Sequence, residues 1–272
     1  MPRFFNKLNS GSEMSFLDHL EALRWHLVRS ALAIIVLAVA AFANKSFIFD
    51  TIIFGPRHPD FPTYRFLCYL SQKFPIDLCI KDFPFNVISI SMAGQFTTHM
   101  WVAFISGFIL AFPYVLLEIW RFVKPALKEK EKKYSRGIVF FTSLLFITGI
   151  LFGYFAIGPM SINFLGSYTV SESVKNQISL DSYISTITIL TFASGIVFEL
   201  PIVVYFLSKI GLVTPQFMRK YRKHAMVVNL IVAAVITPSP DISSQILVAI
   251  PLFLLYELSI YVSAVVVGKS KI

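Results

Sequence analysis

Charged residues are scarce in this chain. Asp, Glu, Lys and Arg make up 14% of its 272 residues, where a soluble domain carries about a quarter. With 56% hydrophobic residues and a mean hydropathy of +0.71, the composition excludes an ordinary water-soluble domain. Cysteine is nearly absent. Cys68 and Cys79 are the two present, too few for a structural zinc site, and no histidine pair has ligand spacing. Signatures of catalysis are missing as well: there is no HExxH and no nucleophile elbow. The run Gly268–Ser270 reads glycine-lysine-serine, but Ser263 stands where a phosphate loop needs its first glycine. ATP hydrolysis and covalent catalysis are therefore not expected, and no cofactor is implied. No internal repeat is visible, which argues against a transporter built from inverted halves. The first 25 residues carry Arg3, Lys7, Glu13, Asp18, Glu21 and Arg24 and no apolar stretch ending in a small-residue cleavage site. The first span is therefore expected to be retained.

What the chain does have is long apolar runs, at approximately 26–44, 98–119, 137–160, 183–208, 225–238 and 245–267. Crossing about 30 Å of hydrocarbon takes roughly 20 apolar residues. Lipid leaves only helices or closed barrels, and these runs are continuous rather than alternating. The expectation is an all-α, polytopic membrane protein, one domain of six transmembrane helices over residues 1–272. Two C-terminal spans look short. From Ala225 to Pro240 sixteen uncharged residues precede Asp241, or roughly 24 Å of helix. Glu257 interrupts the last run. Short spans imply local thinning of the bilayer or displaced lipid.

Six spans put both termini on one side. Eighteen of the 24 Lys and Arg fall there: four up to Arg29, seven in the 120–136 loop, five in the 209–224 loop and two in the tail. The other six are Lys45, Arg57, Arg65, Lys73, Lys81 and Lys175. The bias predicts cytoplasmic termini. It also accounts for the net charge of +9 without nucleic acid. The long outer loop, 45–97, holds five prolines and both cysteines. Outside the cytoplasm a Cys68–Cys79 disulfide can form, and free thiols are equally compatible with the sequence.

Chemistry-bearing residues gather at three places. "SFLDHLEALRWHL" precedes the first span, with Ser15 and Asp18 fitting a capping box and Leu17, Leu20, Leu23 and Leu27 at helical spacing. Glu21 and Arg24, three apart, could pair with each other. The 120–136 loop packs its seven bases around Glu129 and Glu131. In a helix starting near Pro125, Glu129 would meet Lys132 and Lys133, whereas Glu131 would meet Tyr134 and Ser135. Glu131 is thus the acid better placed for an external cation. Within the spans stand Glu199, followed closely by the kinking Pro201, then Asp241 with Gln245, and Glu257. An ionisable group at membrane depth is costly and a functional candidate, although Asp241 also suits a helix cap. The pair of glycines in "GILFG", Gly149 and Gly153, reads as a helix-packing motif.

Four motifs in order carry a resemblance: "HLEALR" before the first span, "WRFVKPALKEKE" after the second, "FELP" in the fourth and "TPSPDISSQILVAIPLFLLYE" from the fifth into the sixth. Over Ser15 to Tyr261 the chain resembles the TatC family, the receptor subunit of the twin-arginine protein translocase. The resemblance implies a cupped six-helix bundle in the bacterial inner membrane. It implies binding of the twin-arginine signal peptides of folded proteins, and assembly with single-span Tat subunits and further copies of itself. It also implies contact with membrane lipid and drive by the proton motive force. By position, the signal-receiving glutamate is Glu131 and the loop aromatic and proline are Phe122 and Pro125. The span positions are Glu199, Asp241, Gln245 and Glu257. In the first motif the family pattern is His-Leu-any-Glu-Leu-Arg. Here Ala22 holds the glutamate position, and Glu21, about 100° away on a helix, stands beside Arg24 as a partial substitute. Two rival readings follow from the residues: a proton-coupled secondary transporter using Glu199 and Glu257, and a membrane scaffold without a ligand.

Overall fold

The structure, a computed structural model, describes residues 16–73, 79, 85–123, 135–171, 173–174, 176–237 and 242–270. Helix α1 runs Phe16–Ala43, so the amphipathic entry stretch and the first span form one element. Its expected cap, Ser15, lies outside the described residues. A π-helical turn, Phe47–Ile53, and α2, Pro62–Lys73, follow. Next come strand β1, Asn86–Ile88, and the long helix α3, Gly94–Val123. Helix α4, Ser135–Phe152, continues through a π-helical turn, Gly153–Ile157, into α5, Gly158–Ser167. Strand β2, Gln177–Ser179, leads into α6, Leu180–Val197, and α7, Leu200–Lys209. The chain closes with α8, Pro215–Lys220, α9, Arg222–Ile236, and α10, Ile242–Ser270.

Among the described residues five stretches are long and apolar enough to cross a membrane: Leu20–Ala43, Gly94–Val123, Gly137–Ser167, Leu180–Lys209 and Ser244–Gly268. The remaining expected span, α9, has 15 residues and so rises only about 22 Å. Its shortness was expected from the uncharged count. Apolar side chains along the outer faces, such as Leu32, Ile35, Val36 and Val39 of α1, are exposed. Such a belt suits lipid and not water.

The packing centre is α6. Its Ile184 and Ile187 join Val102 and Ala103 of α3 in one cluster, while its Leu190 joins Ile157, Ala233, Val248 and Leu252 in another. Gly149 and Gly153 let α4 approach α6 closely. A Cβ on Gly153 would stand 2.8 Å from Thr191 Cα, and one on Gly149 would stand 2.8 Å from the Ser194 carbonyl. The packing role expected of this glycine pair is what the structure has.

The 45–97 segment, expected as a long loop, is largely built. Pro62 opens α2 at a position where a missing N–H costs nothing. Cys68 and Cys79 form a disulfide. β1 pairs in parallel with β2, Val87 opposite Ile178, a two-stranded addition to an all-α plan. Hydroxyls tie this end to the bundle. Tyr64 donates to the Pro159 carbonyl at 3.2 Å, Tyr183 to Ile53 at 3.0 Å and Tyr154 to Ile52 at 2.7 Å. Thr63 donates to the Phe155 carbonyl.

Candidate functional site

α1 and α3 run antiparallel, so the start of α1 meets the end of α3. A residue absent from the expected site stands there. Glu118, one turn and a half before the 120–136 loop's first lysine, is fully buried at 0% exposure. His26 of α1 donates from Nδ1 to Glu118 Oε2 at 2.5 Å, and Arg121 donates from Nη1 to Oε1 at 2.7 Å. The His26 ring also stands edge-on to Phe122, centroids 6.2 Å apart. Glu118 therefore locks the entry helix against the root of the loop. An acid in an apolar span is the signal that singled out Glu199, and "VLLEIW" carried the same signal unread.

The other predicted residues divide three ways. Glu131, Pro125 and Asp241 lie outside the described residues. Phe122 is half-buried beside His26. Glu21 and Arg24 are both exposed, and among the described residues neither forms an ion pair. The expected pairing between them is absent, because each extends from the exposed surface of α1 and loses nothing by staying solvated. This leaves both side chains open to a partner.

Glu199 sits at the break between α6 and α7. Pro201 in the first turn of α7 and the αR backbone at Glu199 (φ −78°, ψ −5°) interrupt the helix there. This is the disruption expected of that proline. Both Glu199 carboxylate oxygens are buried, and neither has a hydrogen-bond partner among the described residues. An unpartnered carboxyl is costly in a membrane-spanning bundle. Glu257 is different. Arg222, at the start of α9, donates to its Oε2 at 2.8 Å, and both side chains are about half exposed, 45% and 48%. The two acids required by a proton relay thus have unlike surroundings, one paired and one alone. Gln245 reaches the Leu230 carbonyl at 3.4 Å, a weak link from α10 to α9.

Between α3, α4 and α7 lies a cavity of about 320 Å³ whose walls include Leu116, Trp120, Val123, Ile138 and Phe206. Its lining is apolar apart from Thr142. Trp120 and Phe206 lie 5.8 Å apart by ring centroid. Among the described residues Trp120 Nε1 is buried without a partner. The pocket is suited to aliphatic side chains and adjoins the same end of α3 as Glu118.

A continuous run of long apolar helices, a proline-broken fourth span with a buried acid, and a short fifth span together match one known pattern. The profile described as Sec-independent protein translocase protein (TatC) matches residues 18–251. The chain belongs to the TatC family. The TatC protein of Blattabacterium sp. subsp. Periplaneta americana is 44% identical over 264 residues, covering 96% of this chain and 99% of that protein. That of Aquifex aeolicus is 35% identical, covering 95% and 98%. A solved structure described as the twin arginine translocase receptor TatC superposes with a TM-score of 0.64 at 31% identity, covering 92% of this chain and 99% of that one. A second, in DDM, gives 0.67 at 33% identity over 89% and 98%. The six-span family fold thus includes α9 as a span. The chain is a multi-pass membrane component of a Sec-independent protein translocase.

Proposed function

We propose that the chain is the receptor subunit that binds twin-arginine signal peptides of folded proteins and nucleates the translocation complex. One observation carries the reading. His26, Glu118, Arg121 and Phe122 join the two segments that the family pattern assigns to signal recognition, although they are 92 residues apart in sequence. In this reading Glu131 accepts the signal arginines. A guanidinium pairs with a carboxylate through two parallel hydrogen bonds, which lysine cannot match. The bases around Glu131 weaken casual cations and lysine-rich competitors, so the site gains specificity more than affinity. Glu21 and Arg24, exposed on α1, supply the second wall in place of the carboxylate missing at Ala22, with Phe122 and Pro125 shaping the loop. The apolar part of the signal enters the cavity by Trp120 and proceeds toward Glu199. Gln245, Asp241 and Glu257 are assigned to contacts along the C-terminal spans. Single-span Tat subunits and further copies of this chain are its partners, surrounded by membrane lipid. The proton motive force is the energy source, and both termini lie in the cytoplasm of a bacterium with the chain in its inner membrane.

The test is binding of a twin-arginine signal peptide, beside its twin-lysine version, to the purified chain and to Glu131→Gln. Arginine-selective binding that disappears in the variant supports the assignment. Equal binding of both peptides, unchanged in the variant, overturns it.

A further inference from the structure

At the end of the bundle away from Glu118, where α1 ends and α3 begins, lies a second cavity of about 590 Å³. It opens at the level where spans stop. Lys45 follows the last turn of α1, Gln95 and Phe96 are in the first turn of α3, and Leu180 begins α6. That level is the depth of lipid headgroups for a helix that fills the hydrocarbon core. The lining is divided. Phe49, Phe54 and Phe96 give it an apolar side, and Lys45 and Arg57 give it charge.

The two cations lack acidic partners. Among the described residues neither Lys45 nor Arg57 forms an ion pair. Arg65 of the same segment, by contrast, has an acidic partner, Asp60 at 3.4 Å. Arg57 is half-buried, with its guanidinium carbon 6.0 Å from the Phe85 ring centroid. So two of the few bases on this side of the chain converge on one hollow, and nothing described neutralises them by direct contact. Asp50 also lines the hollow, which leaves a formal excess of one positive charge. His99 is committed elsewhere, donating from Nε2 to the Phe42 carbonyl at 3.1 Å and stacking on the Phe42 ring. Gln95 adds a neutral amide donor, whereas the Ser89 hydroxyl donates to the Ser91 carbonyl at 3.4 Å.

We propose that this cavity binds a phosphate-class monoanion, the phosphodiester headgroup of an anionic phospholipid, with Lys45 and Arg57 as its counter-charges. A guanidinium matches phosphate geometry through paired hydrogen bonds, and a base at headgroup depth attracts an anionic phosphate by Coulomb's law. One net charge suits a phosphodiester better than a multiply charged anion. The phenylalanine rings suit the glycerol and first methylenes. The consequence is a lipid clamp on the disulfide-bonded segment, fixing it to the bilayer at the end remote from signal recognition.

The experiment is native mass spectrometry of the purified full chain offered phosphatidylglycerol or phosphatidylcholine, with inorganic phosphate as a separate competitor. The expected result is preferential retention of phosphatidylglycerol. Lys45→Gln with Arg57→Gln lowers that retention by roughly ten- to thirty-fold, and Arg57→Lys, which keeps the charge and loses the paired geometry, falls between the parent and the double variant. Twin-arginine peptide binding, read on the same samples, stays as in the unmodified chain and reports that the variants are folded. Equal retention of the two lipids by the unmodified chain overturns the proposal without recourse to any variant. Displacement of the lipid by an equal concentration of inorganic phosphate overturns the headgroup assignment in favour of free phosphate. Undiminished retention in the double variant overturns the roles of Lys45 and Arg57.

Discussion

Replacing Glu118 by alanine removes the acceptor from two hydrogen bonds, 2.5 Å to His26 and 2.7 Å to Arg121. A hydrogen bond to a charged group contributes about 1.5–3 kcal/mol. The two are not equal. The Arg121 side chain is 56% exposed and regains water when released, so its part is discounted to about 1 kcal/mol or less. The His26 side chain is 21% exposed and keeps the larger value. Glu118→Ala is expected to cost about 2–4 kcal/mol, and Glu118→Gln, which still accepts from His26 Nδ1, about 1–2 kcal/mol. Unfolding in detergent, followed by tryptophan fluorescence, measures this, because Trp25 and Trp120 neighbour the cluster in sequence. His26→Ala completes a double-mutant cycle with Glu118→Ala, and the two losses should fall well short of additive. Twin-arginine peptide binding should weaken in Glu118→Ala along with stability, whereas Glu131→Gln weakens binding alone. A Glu118→Ala chain within about 0.5 kcal/mol of the parent, or strict additivity with His26→Ala, would refute the reasoning.

Gly153→Val should destabilise the bundle by about 1–3 kcal/mol or more, since its new Cβ would stand 2.8 Å from Thr191 Cα. Gly137→Val meets nothing within 4 Å and should be near neutral in the same thermal unfolding assay. Burial pushes the Tyr64 phenol above its ordinary range, so the unfolded chain releases that proton first. Stability is then complete below pH of about 10 and falls as pH rises above it; Tyr64→Phe should make the fall shallower in unfolding measured across that range. Glu199→Gln breaks no hydrogen bond among the described residues, so unfolding should show it at least as stable as the parent while signal-dependent export drops. A large loss of stability would show that Glu199 has a structural partner after all.

The helical frame was legible because lipid makes it so. Continuous apolar runs have one economical way to satisfy their backbone, and most of their ends lie close to expectation, although the first span starts at Leu20 rather than 26 and the third runs on to Ser167 rather than 160. Gly149 and Gly153, and the break before Pro201, were legible for the same reason: each is a local steric fact. The 45–97 segment was not. Three-residue strands 86–88 and 177–179 pair across 91 positions, and no periodicity marks so short a match. The Cys68–Cys79 bridge depends on where α2 carries Cys68, which composition does not say. Glu118 was missed for another reason. The loop's bases are the conspicuous signal, and the acid that anchors the loop lies before them, inside the span. Glu21 and Arg24 had the spacing of an ion pair, but spacing on a solvated surface gives little energy to hold one.

The span acids can be ordered by what they already hold. Glu118 accepts from two cationic or potentially cationic donors, Glu257 from one, and Glu199 from none among the described residues. A carboxylate with two short bonds has little left to offer a ligand, so Glu118 serves geometry. Glu257, half exposed and paired with Arg222, ties α9 to α10 and trades one partner for another at small cost. Glu199 keeps all its hydrogen-bonding capacity among the described residues, at a helix break where the backbone is already interrupted. The unequal partnering therefore separates the acids by what they have left to give: the buried, saturated Glu118 fixes α1 against α3, and the buried, unsaturated Glu199 is the one with hydrogen bonds still to make.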